Sequence, residues 1–393
     1  MLAKAEEAIE KEDFATAARL LDEYLAQKPD DARAHFQLGY ACTALQQNEK
    51  AKTHYQRAVE LDPKLAAGHL NLGLVLLEQS PREAVAPLRR AVELLPDQAR
   101  PRYLLGQALE RSEQLEEAVK AYTDAGKIEP GSFDIALALG RVSLAQKDYG
   151  EAEASYRKAL KLQPAAALAR LGLAESLLAQ NKAELALTEY SAYLAAKPDD
   201  ADVRLQVASL CADLGRFEAA LAELQRLEDM QQRLPQVHRM RALIHQRQNR
   251  VADAAKDLEG AVVLEPRDWE LRAQRGRLLL ELRDFPAAEA ELRTALQLKP
   301  DAIDPLRDLV ATFYLAENYP SALQALDQLA KRESLSPGSW FIRATCYDKM
   351  RMLAEARAAY QKFIELDQGK SEKQDFQARQ RIKTLTRMLE KKR

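Results

Sequence analysis

The cysteines, the side chains best suited to nucleophilic or redox chemistry, are few and widely separated. Three occur in the chain, at Cys42, Cys211 and Cys346. A reactive or metal-binding cysteine usually has a second cysteine or a histidine set at a defined spacing. No such spacing is present here, so we expect all three to be buried as small apolar residues.

The five histidines are the other candidates for catalysis or metal binding. His35 and His69 are 34 residues apart and His238 falls in the same register, which indicates a structural repeat and not a ligand set. His54 and His245 have no cluster of Cys, Asp or Glu at ligand spacing, and a metal site needs several converging ligands. Phosphate-loop, dinucleotide-binding and nucleophile-elbow motifs are also missing. We therefore predict no catalytic residue, no metal, no cofactor and no enzymatic activity.

Composition predicts helices throughout and argues against nucleic acid as a partner. The 393 residues are rich in Ala, Leu, Glu, Gln, Arg and Lys and contain 14 Gly, which favours helix. The net charge of −2 gives no global field that would attract DNA or RNA. The first residues lack the apolar core of a signal peptide. These residues alone predict a cytoplasmic protein, and a preceding signal sequence would make it periplasmic or envelope-associated.

An alanine recurs every 34 residues, with a single step of 33. Self-similarity at such a period is typical of stacked-repeat proteins. The column consists of Ala17, Ala51, Ala84, Ala118, Ala152, Ala186, Ala220, Ala254, Ala288, Ala322 and Ala356.

Three further columns appear when Ala51 is counted as position 20 of its repeat. Position 8 is small in ten of eleven repeats, position 24 is always Leu or Tyr, and position 32 is Pro in eight. Small residues at positions 8 and 20 allow two antiparallel helices to approach closely, and the large residue at position 24 fills the space beside them. Proline ends the second helix. Each repeat is therefore predicted to be a pair of helices.

The stretch from Phe36 to Pro63 carries a Leu-Gly pair, then Ala51, Tyr55, Ala58 and the final proline. This pattern resembles the tetratricopeptide repeat family, and the resemblance covers nearly the whole chain. It implies an all-α, right-handed superhelical solenoid of about eleven antiparallel helix-turn-helix repeats. It also implies that the first helix of each pair lines a concave groove that holds peptide or protein ligands.

The repeats are predicted to form a solenoid over residues 1–370, with a basic capping helix over 371–393. From Gly369 to the end, nine Lys or Arg face three Asp or Glu. Contact with a membrane is expected only through this basic helix. Its apolar residues Phe376, Ile382, Leu385 and Leu389 are expected on one side, covering the last repeat. The repeats themselves begin near residues 1, 32, 66, 99, 133, 167, 201, 235, 269, 303 and 337.

Several repeats depart from the pattern. Repeat 3 has lost one residue from its inter-helix turn, and Pro87 inside its second helix predicts a local kink. Repeats 7 and 10 have Gln232 and Ser334 where the terminal proline is expected. Pro235 and Pro337 follow three residues later and are expected to open the next helix. We interpret these as softer joints and not as domain boundaries.

The resemblance places positions 2, 5, 6, 9 and 12 of each first helix in the groove. The first half of this inner face is apolar and aromatic with interspersed amides, and the second half is richer in arginine. A leucine there can equally pack against the next repeat, so Phe36, Tyr40 and Tyr103 are the stronger anchor candidates. The candidate groove residues are Phe36, Gln37, Tyr40, Leu70, Asn71, Leu74, Tyr103, Gln107, Arg141, Arg239, Arg277 and Arg307.

Family members that clamp a carboxy-terminal Glu-Glu-Val-Asp tail need five residues in fixed groove positions. Asn71 and Arg100 match that set, but Phe36, Tyr40 and Leu104 stand where the others should be. We therefore predict a non-enzymatic scaffold that binds a different peptide or partner protein in its groove, and no small-molecule substrate. The alternative is a structural or assembly factor at the bacterial cell envelope, acting through its ends and convex surface.

Overall fold

The structure, a computed structural model, describes residues 1–230 and 234–390. These ranges contain 23 helices and no strand, which confirms the all-α prediction. No helix within them is both long and apolar enough to cross a bilayer. Gln232, which was predicted to mark a softer joint, lies outside the described residues, and so does the end of the basic segment at 391–393.

The chain divides into two compact units, Met1–Asp200 and Ala201–Arg393, which we call the first and second unit. The sequence analysis placed no boundary at this point. The helices of the first unit are α1 (Leu2–Glu10), α2 (Phe14–Leu25), α3 (Ala32–Ala44), α4 (Asn48–Leu61), α5 (Ala66–Gln79), α6 (Pro81–Leu94), α7 (Ala99–Arg111), α8 (Leu115–Ile128), α9 (Phe133–Ala145), α10 (Tyr149–Leu162), α11 (Ala167–Ala179) and α12 (Ala183–Ala196).

The second unit continues the alternation of first and second helices. Pro235 and Pro337 stand in the first turn of their helices, as predicted. The helices are α13 (Ala201–Asp213), α14 (Phe217–Asp229), α15 (Pro235–Arg247), α16 (Val251–Leu264), α17 (Trp269–Glu281), α18 (Phe285–Leu298), α19 (Asp304–Leu315), α20 (Tyr319–Ala330), α21 (Pro337–Lys349), α22 (Leu353–Asp367) and α23 (Glu372–Glu390).

The alanine column lies where the two helices of each pair meet. All eleven alanines are 0% exposed. Beside them, the glycine at position 8 faces the large residue at position 24: a Cβ on Gly39 would lie 2.7 Å from the ring of Tyr55. Gly106 faces Tyr122 in the same way. Close helix approach therefore explains the small residues, as the sequence predicted.

A residue in the left-handed region joins the two helices of most repeats. Lys147 has a φ of 64° and Glu317 a φ of 57°, and the corresponding residues recur at the repeat period. The third repeat, which is one residue shorter, has no such residue among those described. Its second helix, α6, runs through Pro87 without interruption, and the kink at Pro87 stays a prediction.

Helix α23 packs against the last helix pair through three of its four predicted apolar residues, Ile382, Leu385 and Leu389. Ala378 and Leu385 are fully buried against a cluster that includes Phe363, with Ile382 alongside. Phe376 is 64% exposed, so its predicted place on the packed side is wrong. It lies two residues before Ala378, which is about 200° around the helix axis.

All three cysteines are buried, in agreement with their predicted role as small apolar residues. Burial raises the pKa of Cys42 and, more strongly, that of Cys346, to about 11. A raised pKa lowers the thiolate fraction at neutral pH and makes these thiols poor nucleophiles.

Candidate peptide-binding groove

An open cavity of about 430 Å³ lies on the inner face of the first unit, between the first helices α1, α3 and α5. It brings together four of the predicted groove residues. Its lining consists of Glu6, Ile9, Glu10, Arg33, Phe36, Gln37, Tyr40 and Asn71.

Two aromatic side chains of α3 shape this cavity. The ring of Phe36 packs against that of Tyr55 with centroids 5.8 Å apart, and the ring of Tyr40 meets the edge of Phe14 at 6.0 Å. Phe36 is partly buried, whereas Tyr40 remains 45% exposed. The Tyr40 ring is thus held on one side and open to a ligand on the other.

The polar side of the cavity is fixed by Glu6 of α1. Gln37 Nε2 donates a hydrogen bond to Glu6 Oε1 at 2.9 Å, and Arg33 forms an ion pair with the same oxygen at 2.7 Å. Gln37 Oε1 is buried and has no hydrogen-bond partner in the part of the chain that the structure describes. Arg33 is therefore already neutralised, and the Gln37 amide is oriented by the first repeat.

Tyr103 and Gln107 lie further along the inner face, on α7, and do not line this cavity. Gln107 Nε2 donates to the Tyr103 hydroxyl at 3.0 Å, and the Tyr103 ring packs against Tyr122. Burial raises the pKa of Tyr103. Leu70 and Leu74 of α5 are partly buried and pack against the core of the first unit, which is the alternative that the sequence left open for leucines on this face.

Arg141 of α9 is held by a carboxylate of the preceding repeat. Its Nε and Nη2 donate to the two oxygens of Glu110 at 2.7 and 2.9 Å, and Glu110 also accepts from the Tyr122 hydroxyl at 2.8 Å. The guanidinium charge at this predicted groove position is therefore compensated within the chain.

The three arginines predicted in the second unit are also paired. Arg239 is bonded to Asp268 at 2.6 Å and to Glu265. Arg277 donates to Asp308 at 2.9 Å.

Arg307 donates to Glu333 at 2.9 Å and to Asp304 at 3.1 Å. None of these pairs was predicted from the sequence. The feature of the sequence that indicates pairs between repeats is opposite charges 26 to 31 residues apart, which is close to one repeat.

Two of the three histidines at position 4, His35 and His69, have a structural role. His35 Nε2 lies 2.9 Å from the carbonyl oxygen of Pro29, and His69 Nε2 lies 3.1 Å from that of Pro63. Arg170 donates to Pro164 in the same place. A donor at this position therefore closes the turn between consecutive repeats, which accounts for the 34-residue spacing of His35 and His69.

The other two histidines have partners that the sequence analysis did not find. His54 Nδ1 lies 3.1 Å from His35 Nδ1, and His245 Nδ1 lies 2.6 Å from Asp257 Oδ2 in the core of the second unit. Within residues 1–230 and 234–390, no group of three or more His, Cys, Asp or Glu side chains is arranged to hold a metal ion.

Family models match most of the chain. A model described as TPR repeat matches residues 39–80, and two described as tetratricopeptide repeat match residues 70–133, 137–201, 177–244, 239–303 and 311–371. The chain belongs to the tetratricopeptide repeat family. Proteins of this family are generally interaction scaffolds without enzymatic activity.

Solved structures of tetratricopeptide repeat proteins match parts of the chain. YrrB, described as having an unusual peptide-binding site, is 19% identical over 47% of this chain and 95% of its own, with a TM-score of 0.43. MamA from Desulfovibrio magneticus RS-1 is 25% identical over 42% and 93%, with a TM-score of 0.39. PilF from Pseudomonas aeruginosa is 24% identical over 51% and 91%, with a TM-score of 0.41. A search of curated proteins found no match.

Proposed function

We propose that this tetratricopeptide repeat protein is an interaction scaffold whose first unit binds a partner peptide in the cavity beside Tyr40. The observation that carries this proposal is the half-exposed Tyr40 ring standing over a cavity whose floor includes Phe36. A tyrosine supplies a large contact area and loses little conformational entropy on binding, which makes it an effective anchor.

The lining of the cavity suits an apolar or aromatic side chain of an extended or helical peptide. Phe36, Tyr40 and Ile9 provide the apolar contact, and Asn71 provides an amide group that can bond the peptide backbone. The volume of about 430 Å³ is within the range of sites that enclose a small ligand or a few side chains.

The inner face of the second unit is a weaker candidate because its predicted arginines already have carboxylate partners. A ligand anion at Arg277 would have to displace Asp308, which is bonded to it at 2.9 Å. Breaking an existing pair offsets much of the gain from a new one. Contact with the exposed Tyr40 ring in the cavity of the first unit involves no such exchange.

This proposal can be tested with peptides selected from a random display library for binding to the purified full chain. We expect Tyr40→Ala combined with Tyr103→Ala to weaken the selected peptides by about tenfold or more, with unchanged helicity by circular dichroism. Leu185→Ala is the matched control, because Leu185 is 51% exposed on a second helix, α12. Equal affinity of the double variant and the control would contradict the proposal.

A further inference from the structure

Glu175 is a half-buried carboxylate on the inner face of the first unit. It lies on α11 at position 9, the position that Tyr40 occupies in its own repeat. Among the described residues it has no hydrogen-bond or ion-pair partner, and burial raises its pKa. In the preceding repeat, the same position holds Arg141, which is paired with Glu110. Glu175 differs because no described residue compensates its charge.

Two buried tyrosines lie beside this carboxylate. A Cβ added to Gly172 would overlap the Tyr156 ring, so the glycine lets that ring cover α11 one turn before Glu175. Tyr190 is 0% exposed, and its hydroxyl has no hydrogen-bond partner within residues 1–230 and 234–390. Burial, together with the nearby Glu175 charge, raises the pKa of both tyrosines to about 12. Both phenols therefore stay neutral at physiological pH.

Among the described residues, two unsatisfied groups thus lie in this part of the groove: the half-buried Glu175 carboxylate, without a counter-charge, and the buried Tyr190 phenol, without a hydrogen-bond partner. Arg141, whose charge also acts on Tyr156, is already bonded to Glu110 and is not a free counter-charge for Glu175. An anionic ligand would be repelled, and a neutral amide would leave the charge uncompensated. A primary ammonium carries a positive charge and three donors, which suits a half-buried carboxylate that finds no cation among the described residues.

We propose that Glu175, with Tyr156 and Tyr190 around it, is a subsite that binds a lysine side chain of the partner. The inference rests on the proposed function, because it assigns a second contact to a peptide bound in the same groove. The partner sequence would then combine an apolar or aromatic residue for the Tyr40 cavity with a lysine further along. Position 9 of the first helix supplies both contacts.

The subsite can be tested without knowing the partner. The full chain would carry 3-fluorotyrosine at Tyr190 and be titrated with N-acetyl-lysine methylamide, with the neutral N-acetyl-norleucine methylamide as the matched ligand. We expect a saturable ¹⁹F shift with the lysine compound alone, lost in Glu175→Gln and kept in Glu116→Gln, which changes an exposed carboxylate on α8. Equal shifts with both compounds, or a shift that persists in Glu175→Gln, would overturn the proposal.

Selected peptides give a second test that separates the two proposals. Replacing the lysine of a bound peptide by norleucine should weaken binding to the native chain by about tenfold to a hundredfold and leave binding to Glu175→Gln unchanged. If Tyr40-dependent peptides tolerate norleucine at every lysine, the subsite is wrong and the proposed function stands. If binding ignores Tyr40 and Tyr103, the proposed function fails and the ¹⁹F titration decides the subsite alone.

Discussion

The inner faces of the two units use their charged residues differently. In the first unit, Glu175 has no partner among the residues that the structure describes, and an open cavity lies beside Tyr40. In the second unit, Arg239, Arg277 and Arg307 are each bonded to a carboxylate. The face that looks richer in charge by sequence therefore has less charge available to a ligand.

A charged residue at a groove position therefore does not by itself predict a ligand of opposite charge. In a stacked-repeat protein, each first helix lies beside the corresponding helix of the next repeat, so a side chain can be compensated by a residue about one repeat away. Arg277 and Asp308, 31 residues apart, show this compensation. Residues without such a partner are the better indicators of binding.

The greatest effect on stability is expected from the buried alanine column, which both units share. Ala186→Leu in the first unit and Ala288→Leu in the second should each destabilise the protein by about 1 to 3 kcal/mol, because both alanines are 0% exposed at a helix contact. Chemical denaturation followed by circular dichroism measures this. Ala179→Leu, at an exposed position, is the control. An unchanged midpoint for either core variant would show that the repeat register is wrong there.

The next prediction compares how substitutions on the two inner faces change peptide affinity. Tyr40→Ala with Tyr103→Ala should cost a selected peptide about 1.4 kcal/mol or more of binding free energy. Arg277→Ala with Arg307→Ala should change affinity by less than about twofold, because those guanidinium groups already serve Asp308 and Glu333. Isothermal titration calorimetry with one peptide compares the variants. A larger loss from the arginine pair would reverse the comparison between the units.

A smaller effect contrasts a paired carboxylate with an unpaired one. The pKa of Glu153 is lowered to about 2, mainly by its hydrogen bond with Lys182, whereas burial raises that of Glu175. Glu153 thus stabilises the fold above its ordinary pKa of 4.5, and this stabilisation is lost as the pH falls toward 2. Glu175 has the opposite sign: its ionised form disfavours folding at neutral pH, and the penalty disappears below its ordinary pKa.

At pH 7, Glu153→Gln should therefore lower the free energy of unfolding by about 1 kcal/mol. Glu175→Gln should raise it by less than about 1 kcal/mol. Denaturation between pH 4 and pH 8 distinguishes them, since the gain from Glu175→Gln should vanish at the acidic end. The same sign for both variants at pH 7 would mean that Glu175 has a partner in solution.

The smallest expected effect returns to the turns, which the two units share. Lys147→Gly and Glu317→Gly should each stabilise the protein by about 0.5 kcal/mol, because left-handed backbone is strained for residues with a Cβ. Gly215→Ala, at a φ of 73°, should destabilise it. Thermal unfolding measures all three. A loss of stability in the two glycine variants would argue against the left-handed turn.

Much of the fold follows from periodic packing and is therefore visible in the sequence. A helix pair that meets at Ala51, with Gly39 against Tyr55, restricts residue size at each contact. The turn conformation is harder to predict, because Lys147 and Glu317 are not residue types that favour the left-handed region. The packed side of α23 was misjudged at Phe376 because a run of apolar residues does not show which of them the neighbouring helices cover.

The candidate site was predictable where it depends on register alone. Phe36, Gln37, Tyr40 and Asn71 line one cavity because positions 5, 6 and 9 face inward on neighbouring first helices. The pairing of Arg277 depends on how side chains of adjacent repeats approach one another. The lack of a partner for Glu175 among the described residues depends on all the side chains around it, so it cannot be predicted from a single sequence.

Hydrogen–deuterium exchange of the full chain, with and without a selected peptide, tests most directly whether the first unit holds the ligand. We expect a bound peptide to slow amide exchange in α3, α5 and α7, and also in α11 when the peptide carries a lysine. Exchange in α15, α17 and α19 should be unchanged. Protection confined to the second unit would contradict the central claim.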